Sequence, residues 1–295
     1  MSLTDPEVKL TSIETKLDFE TKIFQRRWGP MTGSPSKVLF FCLPGVGVTN
    51  VVFANFGIFL AKLGHQTQAL DFRGFGRSSG PRGHIDSFEQ YYNDINVLLQ
   101  KLHEEDQDRK IILVGPCLGG ALAFNFLQRF PNAPLSALTI FSPLAAPIWG
   151  RPNFFILTLF KILKPLMPRL RVSIGGKRGA FWREGHTVEE IIHDSFNVHK
   201  ISLRYLEEMQ KCIASLKVMN IRLNLPMLFF QSEIDLVTDK SVNIEIFNKI
   251  QAPFKEYCEL KDTYHDAIND ATRETSFALL NQWVQTNIIR QKDGA

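Results

Sequence analysis

Short, near-continuous apolar runs alternate along this chain with longer stretches whose apolar residues recur every three or four positions. KVLFFCLPG (37–45), KIILVG (110–115), LSALTIFSP (135–143) and PMLFFQSEID (226–235) are of the first kind. A strand buried on both faces reads this way, because neither side of its pleat meets water. FANFGIFLAKLG (53–64), SFEQYYNDINVLLQKLHEE (87–105), LGGALAFNFLQRF (118–130), SVNIEIFNKI (241–250) and TRETSFALLNQWVQTNII (272–289) predict helices. Gly64 is placed to close the first of these, Ser87 and Thr272 to cap the second and the last, and Pro131 to end the third. TKIFQRRW (21–28), QTQALDFRG (66–74) and KEYCELKD (255–262) complete the strands. Alternation at this spacing predicts an α/β fold, a mostly parallel sheet flanked by helices on both faces.

The alternation breaks at 145–220, which is mostly helical in character. The simplest organisation is one sheet domain, 1–144 with 221–295, carrying a helical insertion at 145–220. Insertions over the carboxyl edge of such a sheet commonly form a cap on the site there.

Composition narrows the class only a little. The chain has 295 residues, enough for one large domain, and a net charge of +4, too mild by itself to argue for nucleic acid. Four cysteines (42, 117, 212, 258) lie far apart with no CxxC, so neither a metal nor a disulfide framework is implied and a reducing compartment is the easier reading. The first twenty residues hold five acidic side chains and no apolar core, unlike a secretory or mitochondrial leader. No apolar run approaches the roughly 20 residues needed to cross a bilayer. The expectation is an intracellular, cytoplasmic protein that can still touch a membrane.

The candidate chemistry starts at Gly115-Pro116-Cys117-Leu118-Gly119, where a predicted strand turns directly into a predicted helix. This is G-x-nucleophile-x-G with cysteine at the apex. The turn strains the apex residue, and small residues two positions away prevent clashes. The side chain then stands above the sheet at a helix N-terminus, where negative charge is favoured. A buried core thiol in a glycine-rich turn is the competing reading. A nucleophile needs a base and an acid that orients it, in chain order nucleophile, Asp/Glu, His. Asp235 leaves the strand PMLFFQSEID, with Glu233 and Asp239 as rivals and a turn-capping role as the plain alternative. His265, in DTYHDAIND between the last strand and last helix, can return over Cys117. The other histidines (65, 84, 103, 186, 193, 199) are assigned to helices, surface loops or the insertion. The oxyanion donors would be the N–H groups of Leu118 and Val46, the latter in PGVG, which also reads as an ordinary glycine turn. Such chemistry calls for no cofactor and no metal.

These residues together resemble a known family. From about residue 20 to 290 the chain is similar to α/β-hydrolases of the monoacylglycerol lipase and lysophospholipase type, grouped with the serine aminopeptidase S33 hydrolases. DFRGFGRSSGPRGHIDSFEQYYNDI (71–95) resembles the family's D-x-x-G-x-G-x-S-x-G block, with Asp94 on the next helix. GPCLGG matches an elbow that usually reads G-H-S-M-G-G, and FSPLAAP, EIDLV and TYHD fall where the family has its post-elbow strand, acid and histidine. The resemblance implies acyl hydrolysis or transfer on a lipid-like ester or thioester, such as a monoacylglycerol or lysophospholipid. Four positions depart from it: Cys117 for serine, Pro116 for histidine, Pro44 for the histidine that opens the oxyanion loop, and Val48 where monoglyceride lipases tend to be acidic. Three accounts of Cys117 stay open: a natural thiol nucleophile, an altered serine hydrolase, or a catalytically degenerate fold serving as a structural subunit of a protein assembly.

The insertion carries RPNFFILTLFKILKPLMPRLRVSIGGKRGAFWR (151–183), both apolar and basic. Between Asp108 and Glu184 there is no acidic residue and there are eleven Lys/Arg. Helical spacing puts Lys161 and Lys164 on one narrow face, with Phe154, Phe155, Leu159, Phe160, Ile162 and Leu163 around the rest. Such a helix packs into the domain or meets lipid. The resemblance implies a cap lining an acyl tunnel and peripheral contact with a membrane; the basic residues also suit anionic lipid or an acidic protein. No nucleic-acid motif accompanies the charge.

Overall fold

The computed structural model describes residues 5–148, 163, 165–173, 178–181, 183 and 194–290. Eight strands form one sheet: β1 (Val8–Lys16), β2 (Lys22–Pro30), β3 (Val38–Cys42), β4 (Gln66–Leu70), β5 (Lys110–Pro116), β6 (Ala137–Phe141), β9 (Met227–Ile234) and β10 (Lys255–Tyr264). Their spatial order is β1-β2-β4-β3-β5-β6-β9-β10. The first two junctions, β1/β2 and β2/β4, are antiparallel and the remainder are parallel. The apolar runs of β3 and β6 are buried at every position, as their composition predicts.

Helices cover both faces. On one side α1 (Ala54–Lys62) and α6 (Arg273–Val284) pack with Trp28, Phe40, Phe56 and Phe277. Gly57 lets α1 rest directly on Trp28: a Cβ there would lie 2.6 Å from the indole. On the other side α2 (Glu89–Glu105), α3 (Cys117–Arg129) and α4 (Leu203–Val218) enclose Phe41, Leu113, Tyr91 and Tyr205. A further helix, α5 (Lys240–Lys249), follows β9. The chain passes from β3 to β4 on one side and then to β5 on the other. The loops leaving β3 and β5 therefore diverge, opening a crevice at the carboxyl edge.

Several local expectations need correction. Strand β1 lies in the acidic N-terminal stretch and was not anticipated, because an edge strand with a solvent face carries few apolar residues. The insertion is not only helical: β7 (Arg171–Ser173) pairs antiparallel with β8 (Lys200–Ser202). Ser87 does accept the Glu89 N–H of the first turn of α2, at 3.2 Å, and the preceding N–H, of Phe88, donates to the buried Glu208 carboxylate of α4 at 3.1 Å; Thr272, by contrast, makes no side-chain cap bond. Helix α4 is itself fastened to α3 by the Asn125 amide donating to the Cys212 carbonyl and accepting from the Ser215 hydroxyl, at 3.2 and 2.8 Å. Of the histidines read as helical or loop residues, His65 and His84 are buried, bonded to Ser36 and Asn281 and to Ser202 and Asp86 respectively.

The glycine-rich block after β4 is a folding device. Asp71 accepts N–H bonds from Asn50 (2.7 Å) and Arg77 (2.9 Å), and a Cβ at Gly76 (φ +54°) would overlap its carboxylate. Burial raises the Asp71 carboxyl from 3.8 to about 6, against the pull of those N–H bonds and of Arg26. The folded chain thus holds this proton more tightly than the unfolded chain, so its contribution to stability declines as pH rises from about 4 to 6 and is constant above. Asp71→Asn is expected to leave one N–H without an acceptor, costing about 1–3 kcal/mol at pH 7. It should also remove that group's pH dependence between about 4 and 6, as read by urea unfolding at pH 4.5 and 7.

Candidate active site

Cys117 is the first residue of α3 and has φ +50°, a left-handed conformation rare outside glycine. Its neighbours explain how the chain tolerates it. A Cβ at Gly115 would lie 2.6 Å from the Gly119 carbonyl oxygen, and one at Gly119 would overlap the Leu43 carbonyl oxygen. The helix N-terminus is thereby pressed against the end of β3 and the following loop. A Cβ at Gly45 in that loop would stand 3.6 Å from Cys117 Cβ and 4.0 Å from Sγ. The Leu118 N–H lies in the first turn of α3, whose N–H groups have no intrahelical acceptor, and Pro116 supplies no side-chain cap. Among the described residues neither Leu118 nor Val46 donates its N–H to another group.

The acid and the histidine meet as their order in the chain suggests. His265 Nδ1–H donates to both oxygens of Asp235, at 2.9 Å each, and both side chains are almost wholly buried. Asp235 Oδ1 also accepts the N–H groups of Val237 and Thr238, both at 2.9 Å. Burial alone would raise the Asp235 carboxyl, but His265 and these N–H groups bring it below the usual value. For His265 burial disfavours the cation; Cys117 and Asp235 outweigh it and push the imidazole up to about 10. His265 Nε2 is buried, and Cys117 is the electrostatic partner on that side of the ring. Of the rivals, Glu233 pairs with Lys261 at 2.9 Å, and Asp239 accepts from the Ser241 N–H at 2.9 Å as the cap of α5.

Two polar residues behind the acid were not singled out from the sequence. Gln231, buried in β9, donates to Asp235 Oδ2 at 3.2 Å, and Asn243 of α5 donates to Gln231 Oε1 at 2.8 Å. Gln231, the first polar residue after the apolar run Met227–Phe230, is the one sequence signal at the spot.

The insertion touches the loops that carry Asp235, His265 and Val46. Ile148 N–H donates to the Val237 carbonyl (3.0 Å) and Asp239 N–H to the Ala146 carbonyl (2.8 Å), beside the acid. Thr49 Oγ donates to Asp194 at 2.6 Å and Val198 N–H to Gly47 at 2.8 Å, beside the β3 loop. The Phe181 ring stands edge-on to His265, 5.6 Å between centroids. Phe154, Phe155, Leu159, Phe160, Ile162, Lys161 and Lys164 lie outside the described residues; Leu163 is half-buried. Among the described residues no helix is long and apolar enough to cross a membrane.

Residues 34–272 match the hydrolase family described as serine aminopeptidase, S33. Phospholipase YtpA of Bacillus subtilis is 28% identical over 215 residues, 72% of this chain and 82% of that protein. Mouse monoglyceride lipase is 22% identical over 270 residues, 90% of this chain and 88% of that protein. In shape the chain is similar to a soluble variant of monoglyceride lipase from Saccharomyces cerevisiae in complex with a substrate analog, with TM-score 0.82, 16% identity and coverage of 97% and 98%. The monoacylglycerol lipase of Paleococcus ferrophilus gives TM-score 0.73 at 22% identity, covering 89% of this chain and 98% of its own. The family match over most of the chain and the shared fold place it plainly: the chain belongs to the serine aminopeptidase S33 family of α/β-hydrolases.

Proposed function

We propose that the protein is an acyl hydrolase for lipid-like esters or thioesters, working through Cys117, His265 and Asp235. The observation that carries this reading is the strained cysteine at the head of α3, facing a buried histidine whose other nitrogen is held by a buried carboxylate. Relatives named as phospholipase and monoglyceride lipases support the substrate class.

In the proposed reaction the Cys117 proton passes to His265 Nε2 and the thiolate attacks the acyl carbonyl carbon. The oxyanion is held by the Leu118 and Val46 N–H groups. A thiolate leaves more readily than an alkoxide, so an ester cleaves forward only if its leaving oxygen is protonated. An imidazole held cationic up to about 10 is suited to donate that proton. Once the acyl-thioester forms, the thiolate charge that helped to hold the cation is gone. His265 then serves as base toward water, whose attack releases the carboxylic acid and returns the proton to Cys117. If an alcohol or thiol replaces water, the same steps give acyl transfer.

Residues 145–220 act in this reading as a cap over the crevice. Ile148 and Leu236, both about half exposed beside the acid loop, suit an apolar acyl chain. Exposed Leu166, Met167 and Leu170 next to Arg169 and Arg171 support peripheral contact with an anionic lipid surface.

The test is fatty-acid release from a panel of p-nitrophenyl esters, monoacylglycerols, lysophospholipids and acyl thioesters. Release that disappears in Cys117→Ala supports hydrolysis. No release from any member, by this chain or by Cys117→Ser, favours the competing reading of a silent subunit in a larger assembly. Gln231→Leu removes a donor to Asp235 and strands the Asn243 amide. Its expected effect is a kcat about tenfold lower with KM little changed, as steady-state kinetics would read.

A further inference from the structure

His265 sits just beyond an irregular stretch of backbone. The β9/β10 register shifts between Leu260 and Tyr264, and Asp262 within that stretch has φ +49°. A non-glycine residue in this conformation persists only where its surroundings hold it. Much of the holding comes from the insertion. Arg183 Nη2 donates to the Asp262 carbonyl at 2.6 Å and pairs with its carboxylate at 3.0 Å, while the guanidinium lies over the Tyr264 ring at 5.4 Å. Two residues earlier, the Phe181 carbonyl accepts the Asp266 N–H at 3.2 Å, and its ring meets the imidazole edge-on at 78°. The insertion thus grips the chain three residues before His265 and one residue after it, and lays an aromatic ring against the imidazole between those points.

We propose that Phe181 and Arg183 are positioning residues for His265. The Arg183–Asp262 pair seats the Phe181 ring so that the imidazole keeps Nδ1 on Asp235 and Nε2 toward Cys117. This inference rests on the catalytic reading of Cys117 and His265. Under it the insertion does more than cover substrate: it completes the geometry of the base. A well-placed base is worth far more than a nearby one, since a misplacement of about 1 Å can cost roughly a hundredfold in rate.

The test compares Arg183→Ala, Arg183→Lys, Phe181→Ala, Phe181→Tyr and Asp262→Asn with the parent and with His265→Ala. Two quantities are read: the rate of Cys117 alkylation by iodoacetamide at pH 6.5, located by peptide mapping, and the split between kcat and KM on a p-nitrophenyl ester. Alkylation needs no acyl-binding site, so it reports on the thiol and its base alone. Phe181→Ala and Arg183→Ala should each lower alkylation and kcat by about ten- to a hundredfold while KM changes by less than about twofold. Phe181→Tyr should restore most of the rate and Arg183→Lys part of it. Asp262→Asn keeps the backbone bond but loses the charge, so it should fall between, and its loss should not add to that of Arg183→Ala because both break one pair. Alkylation that depends on His265 but is unchanged in the Phe181 and Arg183 variants overturns the positioning role alone. A rise confined to KM also overturns it, placing these residues in substrate binding. Equal alkylation of the parent and His265→Ala overturns the catalytic reading and the positioning role together.

Discussion

Cys117→Ala is expected to lower kcat/KM by about 10⁴- to 10⁶-fold, the range seen when a nucleophile that acts as a unit with its base is removed. The loss should be chemical rather than structural. Cys117 is only partly buried, and alanine keeps the β-carbon that packs beside Gly45. The same φ of +50° must be held by either residue, so the backbone strain is unchanged. Cys117→Ser keeps a nucleophilic atom, and its rate relative to the parent separates two accounts of the cysteine. Faster turnover by the serine form would mark a site shaped for a hydroxyl; slower turnover would mark one that uses a thiol. Intact folding of each variant is checked by its urea midpoint, and activity by p-nitrophenol release.

Asp235→Asn is the second large effect, expected to lower kcat by about 10⁴-fold while leaving the site assembled. Asp235 accepts from four donors: His265 Nδ1, Gln231 Nε2 and the N–H groups of Val237 and Thr238, with His265 reaching both oxygens. An asparagine can accept at one position only, and its NH₂ must face Gln231 or the imidazole. Turned toward His265, it favours the tautomer with hydrogen on Nε2, which cannot take a proton from Cys117. The pH behaviour follows in sign. Against burial, Cys117 and the ionised Asp235 together push the His265 imidazole up to about 10. Removing the Asp235 charge leaves Cys117 alone to oppose burial, so the imidazole pKa should fall. An NMR titration of the His265 ring in both forms measures this shift directly, and His265→Ala provides the reference for complete loss of the base.

Much of this site was legible because its parts are local and ordered along the chain. The elbow is five consecutive residues whose small flanks are demanded by carbonyls 2.6 Å or less from where a side chain would begin. Asp235 and His265 stand just past their strands, where the parallel sheet delivers them to one edge. What the sequence concealed depends on contacts between distant segments. Gln231 is one of three consecutive polar residues in β9, and its role appears only when α5 brings Asn243 against it. His84 and His65 carry no sequence signal beyond a helix or surface-loop position; their burial comes from β8 and α6, through Ser202 and Asn281. Phe181 and Arg183 lie about 80 residues before the loop they grip, inside a stretch whose apolar and basic composition suggested lipid rather than the catalytic histidine. Strand β1 was hidden for a different reason: an edge strand with alternating exposure and several charges lacks the apolar run that marked β3, β5, β6 and β9.

The most direct measurement is intact-protein mass spectrometry, acid-quenched seconds after mixing with a medium-chain p-nitrophenyl ester. The account predicts a single acyl adduct on the parent, mapped to Cys117 and accompanied by p-nitrophenol release, and neither signal in Cys117→Ala or His265→Ala. An absence of both adduct and Cys117-dependent release in the parent and in Cys117→Ser would contradict the central claim that this elbow is a working nucleophile.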